Sequence, residues 1–549
     1  MADSVTTRTA LTGAQTGVWY AQQVLRGTPT YNVGQYVDLP GDLDPRLFEA
    51  ALRRVVRETE TLRVRIVEEQ HTQTPHQEIL TDVTWELETV DMRSYADPFL
   101  AAQEWMHRHM NTPVWGTDGP LFTFALLRVA DQHWLWFQRY HHIIVDAYAI
   151  NTINRRVAEI YSHGAGEDVP APRFRTLAEV VAEEEDYAAS PRKDRDRQYW
   201  AHTLTDLPEP TVIGTAPTAS PHGSRRVHDT LPAEGFTALH ALAQSTGANW
   251  AEAMTAAFAA YIHRTTGVRD VVLGAPTMSR LGSVSLSVPC LVVNILPLRL
   301  EVSPASTPVA LVDQVRSRMR ELRTHQGYRA EDIRRDLGLV GGGRGLHGPV
   351  VNIKAFDDDL RFADIHARAH TISEGPVDDL SLSVYPDRTT GGLRLEFNAN
   401  VDGHTAEELR ARAEEFLRFL KGFTLLDPTG TETIGTLDTV SAEELDRYRT
   451  EDEATHHELP DIPVHEQITR AAHRWPEAVA IHTAEEETTY AELEERTHRL
   501  AAHLRAHGAG PEQVVAVALP RTTDLIVSLL AVARTGAAFL PLDPDFPAD

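Results

Sequence analysis

The sequence predicts a mixed α/β (α+β) protein, and three observations carry that prediction. An aromatic run, Trp134–Tyr140, reads as a buried strand and passes within ten residues into helical spacing at Ile150, Ile153, Val157 and Ile160. A second unit repeats the mixture, with an apolar helix over Ala251–His263 followed by a buried strand, DVVLG, at Asp270–Gly274. From about Val464 a third pattern starts, with helices around a short strand and a βα-type run.

The elements follow in order. LTGAQTGVWYAQQ, from Leu11, reads as an early helix with one apolar face. Asp44-Pro45 opens a clear helix, with Asp44 as N-cap and Pro45 in the first turn, and Leu47/Phe48, Ala51/Leu52 and Val55/Val56 form its stripe. TLRVRIVEE, from Thr61, alternates like a strand, and Leu121–Val129 is a strand ahead of the aromatic one. The charge-rich stretch from Arg173 to Pro210 reads as a helical crossover between two halves. Val288–Val302 is expected to be a strand pair or a bent strand. A capping box at Thr405 and Glu408 opens a helix through Phe419. The resulting division is 1–175, 176–440, a linker over 441–463, and a last segment over 464–549 that is short for an α/β domain and reads as truncated.

Composition narrows the function classes. The chain has 549 residues, room for roughly three or four compact units. Its apolar content of 42% suits substantial cores. A net charge of −27 argues against nucleic-acid and anionic-membrane partners. Cys290 is the only cysteine, so neither an intrachain disulfide nor a cysteine zinc cluster is expected, and no metal site is read. The start lacks a signal-like segment, and the best apolar run, Ile526–Ala533, is too short to span a bilayer, so a cytoplasmic location is expected.

The chemistry concentrates in WLWFQRYHHIIVDAYAI, Trp134–Ile150. If extension continues through His141 and His142, they point to opposite sides, and only one faces a given cavity. A neutral imidazole can take a proton from an amine nucleophile near pH 7. Asp146 could orient the turn, pair with a distant arginine, or simply cap the following helix. Two core histidines and a capping aspartate remain the bland alternative. Spacing alone does not decide, because His456-His457-Glu458-Leu459-Pro460-Asp461 repeats HHxxxD in an acidic stretch with no strand before it. Gly343–Gly348 matches GxGxxG, but Pro349 and strand-like VVNI follow it rather than a helix, so a loop is expected. The chain shows no GxxxxGK[ST], HExxH or GxSxG pattern, which leaves proton transfer and positioning.

YHHIIVDAYAI resembles the HHxxxDG signature of nonribosomal peptide synthetase condensation domains. LTGAQTGVWYAQQ, ETETLRVRI, LVVNILPLRL, HQGYRAEDIRRDLG, HGPVVNIKAFD and GPVDDLSLSVY fall in that family's order, over about residues 8–440. The closest flavour is the amino-terminal condensation domain of enterobactin- and bacillibactin-type synthetases. TTYAEL and RTGAAFLPLDPDFP resemble the opening of an adenylation domain, whose phosphate loop would come later, so no adenylation is expected.

The resemblance implies a chloramphenicol-acetyltransferase-like two-lobed pseudodimer with a central tunnel. Phosphopantetheine arms would enter it from an upstream aryl, acyl or peptidyl carrier protein (donor) and a downstream peptidyl carrier protein (acceptor), with no cofactor bound covalently here. It makes His142 catalytic, His141 structural, and Asp146 the partner of Arg280. It puts Tyr140, Asn294, Asp379 and Ser381 on the tunnel wall. The family's glycine after the aspartate is Ala147 here, and an active site is still expected. The implied reaction is amide formation, with a 2,3-dihydroxybenzoyl donor and siderophore biosynthesis as the reading, in a first extending module. A heterocyclising relative would need an aspartate at His141. An epimerising relative or a catalytically silent recruitment platform are the alternatives.

Overall fold

A computed structural model describes residues 5–543 apart from 70–73, 116–118, 165–168, 216–222, 340–344, 355–358, 427–430, 460 and 485. Contacts divide the chain into two compact units, residues 1–442 and 443–549.

The first unit is built on two six-stranded sheets. One runs, edge to edge, through Asp359–Phe362, Ile365–Glu374, Asn32–Pro40, His133–His141, Phe122–Ala130 and Glu88–Asp91. The other runs through Asn294–Glu301, Asp270–Thr277, Val350–Ile353, Leu380–Asp387, Gly392–Asn400 and Ser224–Leu231. A three-stranded sheet of Val5–Ala10, Pro75–Leu80 and Val64–Glu68 accompanies them. The halves are not strictly sequential. Ile365–Glu374 crosses over to pair antiparallel with Asn32–Pro40, Glu374 standing opposite Val33. Each large sheet nucleates its own apolar core. One gathers Phe48, Trp136, Val157 and Phe362, the other Phe258, Leu298, Leu382 and Phe416.

The helix signals act as their chemistry dictates. Thr12 and Gln15 close a capping box on Gly13–Val24, and Asp44 accepts from the Arg46 and Leu47 amides at the head of Pro45–Glu58. Phe48, Ala51, Leu52, Val55 and Val56 are its buried face. Thr405 and Glu408 cap Ala406–Leu425 reciprocally, and the charge-rich crossover is two helices, Leu177–Ala189 and Pro191–Thr203.

Three expectations change. TLRVRIVEE begins as a 3₁₀ turn over Glu60–Arg63, and only Val64–Glu68 is strand. Within Val288–Val302 only Asn294–Glu301 pairs in a sheet. The preceding backbone is committed elsewhere: the Val288 and Cys290 carbonyls accept from Arg280, and the Val292 amide donates to Asp146. The stretch read as a linker opens with a helix, Ala442–Ala454, that buries none of its residues. His456, His457 and Glu458 beyond it are exposed coil, and Pro460 lies outside the described residues.

In the second unit Val464–Arg474 and Tyr490–Ala506 are helices, Val479–His482 pairs with Glu487–Thr489, and Val514–Ala518 runs parallel to Ala538–Leu542. Among the described residues no helix is long and apolar enough to cross a membrane.

Candidate active site

The histidine-bearing strand sits inside its sheet, flanked by Asn32–Pro40 and Phe122–Ala130. It ends at His141, and the chain turns at once, the Ile144 amide closing onto the His141 carbonyl. The two imidazoles therefore part company. His141 is 1% exposed, and its Nδ1 accepts from the Ile143 amide at 3.1 Å, so its Nε2–H donates to Gln22 Oε1, also at 3.1 Å. Burial, with His142 nearby, lowers its pKa to about 3. It is a neutral, fully partnered support.

His142 lies at the strand end on the wall of a cavity of about 480 Å³. Its main-chain amide donates to the Tyr31 carbonyl at 2.8 Å, and its Nδ1 faces the Val145 carbonyl at 2.7 Å. A carbonyl only accepts, so Nδ1 carries a proton, and in the neutral ring this tautomer leaves the lone pair on Nε2. Gly375 makes room for the ring: a Cβ there would stand 3.2 Å from His142 Cδ2, and the residue's φ is +93°.

Asp146 caps the next helix, Ala147–Ser162, accepting from the Ala149 amide at 2.9 Å. It also accepts from Arg280 Nη2 at 2.9 and 2.8 Å. Arg280 is fully buried, donates further to the Ser285, Val288 and Cys290 carbonyls, and stacks on Tyr148. The loop that delivers it turns through Ser279 at φ +50°, sending Arg280 inward while Leu281 stays 79% exposed. Ala147 is the first residue of its helix, lines the cavity, and is not among the residues with positive φ.

The other wall residues divide. Asp379 and Ser381 line the cavity. Asp379 is tied down by the Ile213 and Gly214 amides and by His404. Tyr140 and Asn294 do not line it, a correction to the sequence reading. Tyr140 is fully buried, packs edge-on against Phe124 and donates to Gln138 at 3.1 Å. Asn294 spends its amide on the Gln326 and Tyr328 carbonyls and the Ala330 amide, and its neighbours Val293 and Ile295 face the cavity instead.

Sequence reasoning missed several wall residues: Tyr31, His347, Lys354, Glu374 and Tyr385. His347 belongs to the GxGxxG loop, whose Gly343 and Arg344 lie outside the described residues. Its Nδ1–H donates to the Gly348 carbonyl at 2.9 Å, and burial lowers its pKa. Lys354 was findable, since Val350, Asn352 and Lys354 share one face of their strand by its period of two. Among the described residues no group of three or more His, Cys, Asp or Glu is placed to hold a metal ion.

Comparison with known proteins agrees with this arrangement. The condensation-domain family matches residues 5–446, and the AMP-binding enzyme family matches residues 468–549. The chain is 37% identical to the dimodular nonribosomal peptide synthase of Bacillus subtilis (strain 168), over all of this chain and 23% of that protein. It is 40% identical to the isonitrile lipopeptide synthase of Streptomyces coeruleorubidus, over 99% of this chain and 36% of that one. It is 33% identical to enterobactin synthase component F of Escherichia coli (strain K12), over 98% and 42%. The chain thus spans less than half the length of these relatives. Among solved structures, the starter condensation domain of rhizomide synthetase, a mutant in complex with C8-CoA and Leu-SNAC, superimposes with a TM-score of 0.73 at 34% identity. The match covers 79% of this chain and 98% of that domain. The mixed α/β fold is accordingly of the chloramphenicol-acetyltransferase type, and the chain belongs to the condensation domains of nonribosomal peptide synthetases, amide-bond-forming acyltransferases that work with carrier proteins, with an AMP-binding segment behind it.

Proposed function

We propose that this chain joins a carrier-bound acyl or aryl thioester to the amino group of a carrier-bound aminoacyl thioester. The observation that carries the reading is His142, its Nδ1–H held by the Val145 carbonyl and its ring set on the wall of a cavity that both sheets line. The amine nitrogen attacks the thioester carbonyl carbon, the C–S bond breaks, and the donor arm leaves as its thiol. Nε2 takes the proton the amine must lose and can return it to the departing sulfur. Such help is worth about 10²–10⁴-fold. Holding two tethered reactants together supplies more, roughly 7–11 kcal/mol of the barrier. Phosphopantetheine enters as the tether of each substrate, and a cavity of about 480 Å³ has the size of a small-molecule site.

The donor we assign is 2,3-dihydroxybenzoyl on an upstream aryl carrier, and the pathway class siderophore assembly. Similarity to enterobactin synthase component F supports this. A fatty acyl donor is the second reading, favoured by similarity to the isonitrile lipopeptide synthase and to a starter domain in complex with C8-CoA. A mass-spectrometric assay with aryl-, alkanoyl- and aminoacyl-loaded carriers against several aminoacyl acceptors separates them. Product from aryl donors supports the assignment; product from alkanoyl or aminoacyl donors with none from aryl ones overturns it.

A further inference from the structure

The cavity wall beyond His142 carries polar side chains on several strands, interspersed with apolar ones. On Leu380–Asp387 and the residue before it, Asp379, Ser381 and Tyr385 face the space, and Ser383 between them is bonded to a lining residue. Val350, Asn352 and Lys354 do so on the neighbouring strand and just past its end, and Ala369, Thr371 and Ser373 on Ile365–Glu374. These tracks meet at a charged knot. Lys354 Nζ donates to Glu374 Oε1 at 2.5 Å and to the Tyr385 hydroxyl at 2.9 Å. Ser383 donates to Glu374 at 3.0 Å, and the Tyr385 hydroxyl lies 3.0 Å from Glu374 and 3.3 Å from Glu396. Burial alone would raise Glu374 and lower Lys354, but each one's opposite charge, with the hydrogen bonds around them, outweighs it, holding Glu374 at about 2 and keeping Lys354 charged far above neutral pH.

Building an ion pair into a cavity wall costs desolvation that an apolar wall does not. A purely structural pair would be sealed from the space; this one lines it. An ammonium has three N–H groups, and among the described residues Lys354 commits two. Glu374 Oε2 accepts only from Ser383 among the described residues, so it has capacity left. A hydroxyl accepts from one and donates to the other. The knot is also close to the chemistry, because Glu374 is followed directly by Gly375, the residue against which His142 packs. A saturated chain in the same place would leave both polar capacities unmet, which is unfavourable.

We propose that Lys354, Glu374 and Tyr385 form a subsite that hydrogen-bonds a hydroxyl substituent on an acyl group held in the cavity that His142 lines. The proposal rests on the condensation reading of this cavity and adds the feature of the substrate that it selects. A hydroxyl on the donor (a phenol) and one on the acceptor (a serine or threonine side chain) share that chemistry, so the test has two arms.

The 549-residue chain is assayed for amide formation with 2,3-dihydroxybenzoyl, benzoyl and octanoyl donor carriers, and separately with seryl and alanyl acceptor carriers. The same acyl groups are titrated calorimetrically as unreactive pantetheine amides. On one arm the hydroxylated partner is preferred about tenfold or more. Tyr385→Phe, which keeps the Lys354–Glu374 pair, lowers that ratio several-fold. Lys354→Met with Glu374→Leu, which removes both charges together, abolishes it, and circular dichroism checks that this variant folds. Equal use of hydroxylated and plain partners on both arms overturns the subsite, as do variants that slow every substrate in parallel. If no pair yields amide, the condensation reading fails instead. The calorimetric preference then still decides the subsite: retained in the parent and lost in the variants, it stands; absent in the parent, it falls.

Discussion

Arg280 Nη2 stands 2.9 and 2.8 Å from the two carboxylate oxygens of Asp146, a residue 134 positions earlier in the chain. The arginine is fully buried and the aspartate nearly so. The pair fastens the turn after His142 to the loop of the opposite sheet, so the imidazole is placed by both halves at once. Asp146 touches no reacting atom in this account and positions the residues that do. Removing one partner strands a buried charge, whereas removing both does not. Asp146→Ala should therefore cost about 3–5 kcal/mol of unfolding free energy, measured by urea denaturation. Asp146→Ala with Arg280→Met should recover a large part of it. A single variant as stable as the parent would contradict the assignment.

His142→Ala removes a half-buried ring whose Nδ1–H serves one turn carbonyl. Stability should change little. Amide formation should fall about 10²–10⁴-fold, while carrier binding, read by calorimetry, should hold. Lost binding together with lost product would mean the ring is part of a docking surface. Unchanged product would mean that the ring transfers no proton and the site works by positioning alone.

Ala147 departs from the family glycine, yet its backbone does not occupy the left-handed region where glycine is needed. Its methyl group only narrows the cavity wall. Ala147→Gly should thus leave the amide-forming rate within about threefold and cost at most about 1 kcal/mol at a helix start. A gain of several orders of magnitude would show that the methyl group obstructs the site.

Much of the site could be read in the sequence because its parts are local. Period two carries Trp134–Tyr140 to the histidines, and Asp146 announces the helix it caps. Where reading failed, sheets are the reason. The sheet holding Tyr140 is covered on both faces, by Trp136 and Phe124 on one side and by Phe137 and Trp105 on the other. Alternation then moves a residue from one core to another, and only the strand's end, at His142, meets open space. Asn294 failed similarly, one register position from Val293 and Ile295. Period two would have put Lys354, just past the strand Val350–Ile353, on the side of Val350 and Asn352, but nothing local reveals that Glu374 arrives from a crossover strand to hold it. The backbone around Cys290 reads as strand by composition, and the distant Arg280 claims its carbonyl.

Acid should loosen the first unit through its histidines before its carboxylates titrate. Burial lowers His141 from 6.5 to about 3 and His370 from 6.5 to about 4, and it lowers His347 as well. Below 6.5 the unfolded chain binds protons at these rings and the folded chain does not, so unfolding takes up protons. The stabilisation is complete above pH 6.5 and declines as pH falls toward the folded values, on the order of 1 kcal/mol per ring per pH unit. His370, stacked on Tyr36 at 4.9 Å and not among the residues lining the cavity, isolates one share of the effect. Urea midpoints measured at pH 7.5 and 5.5 should differ clearly in the parent, and His370→Gln should shrink the difference by about one ring's worth. Identical midpoints at the two pH values would mean that the buried rings take up protons in the folded state, which the Ile143 amide on His141 Nδ1 opposes.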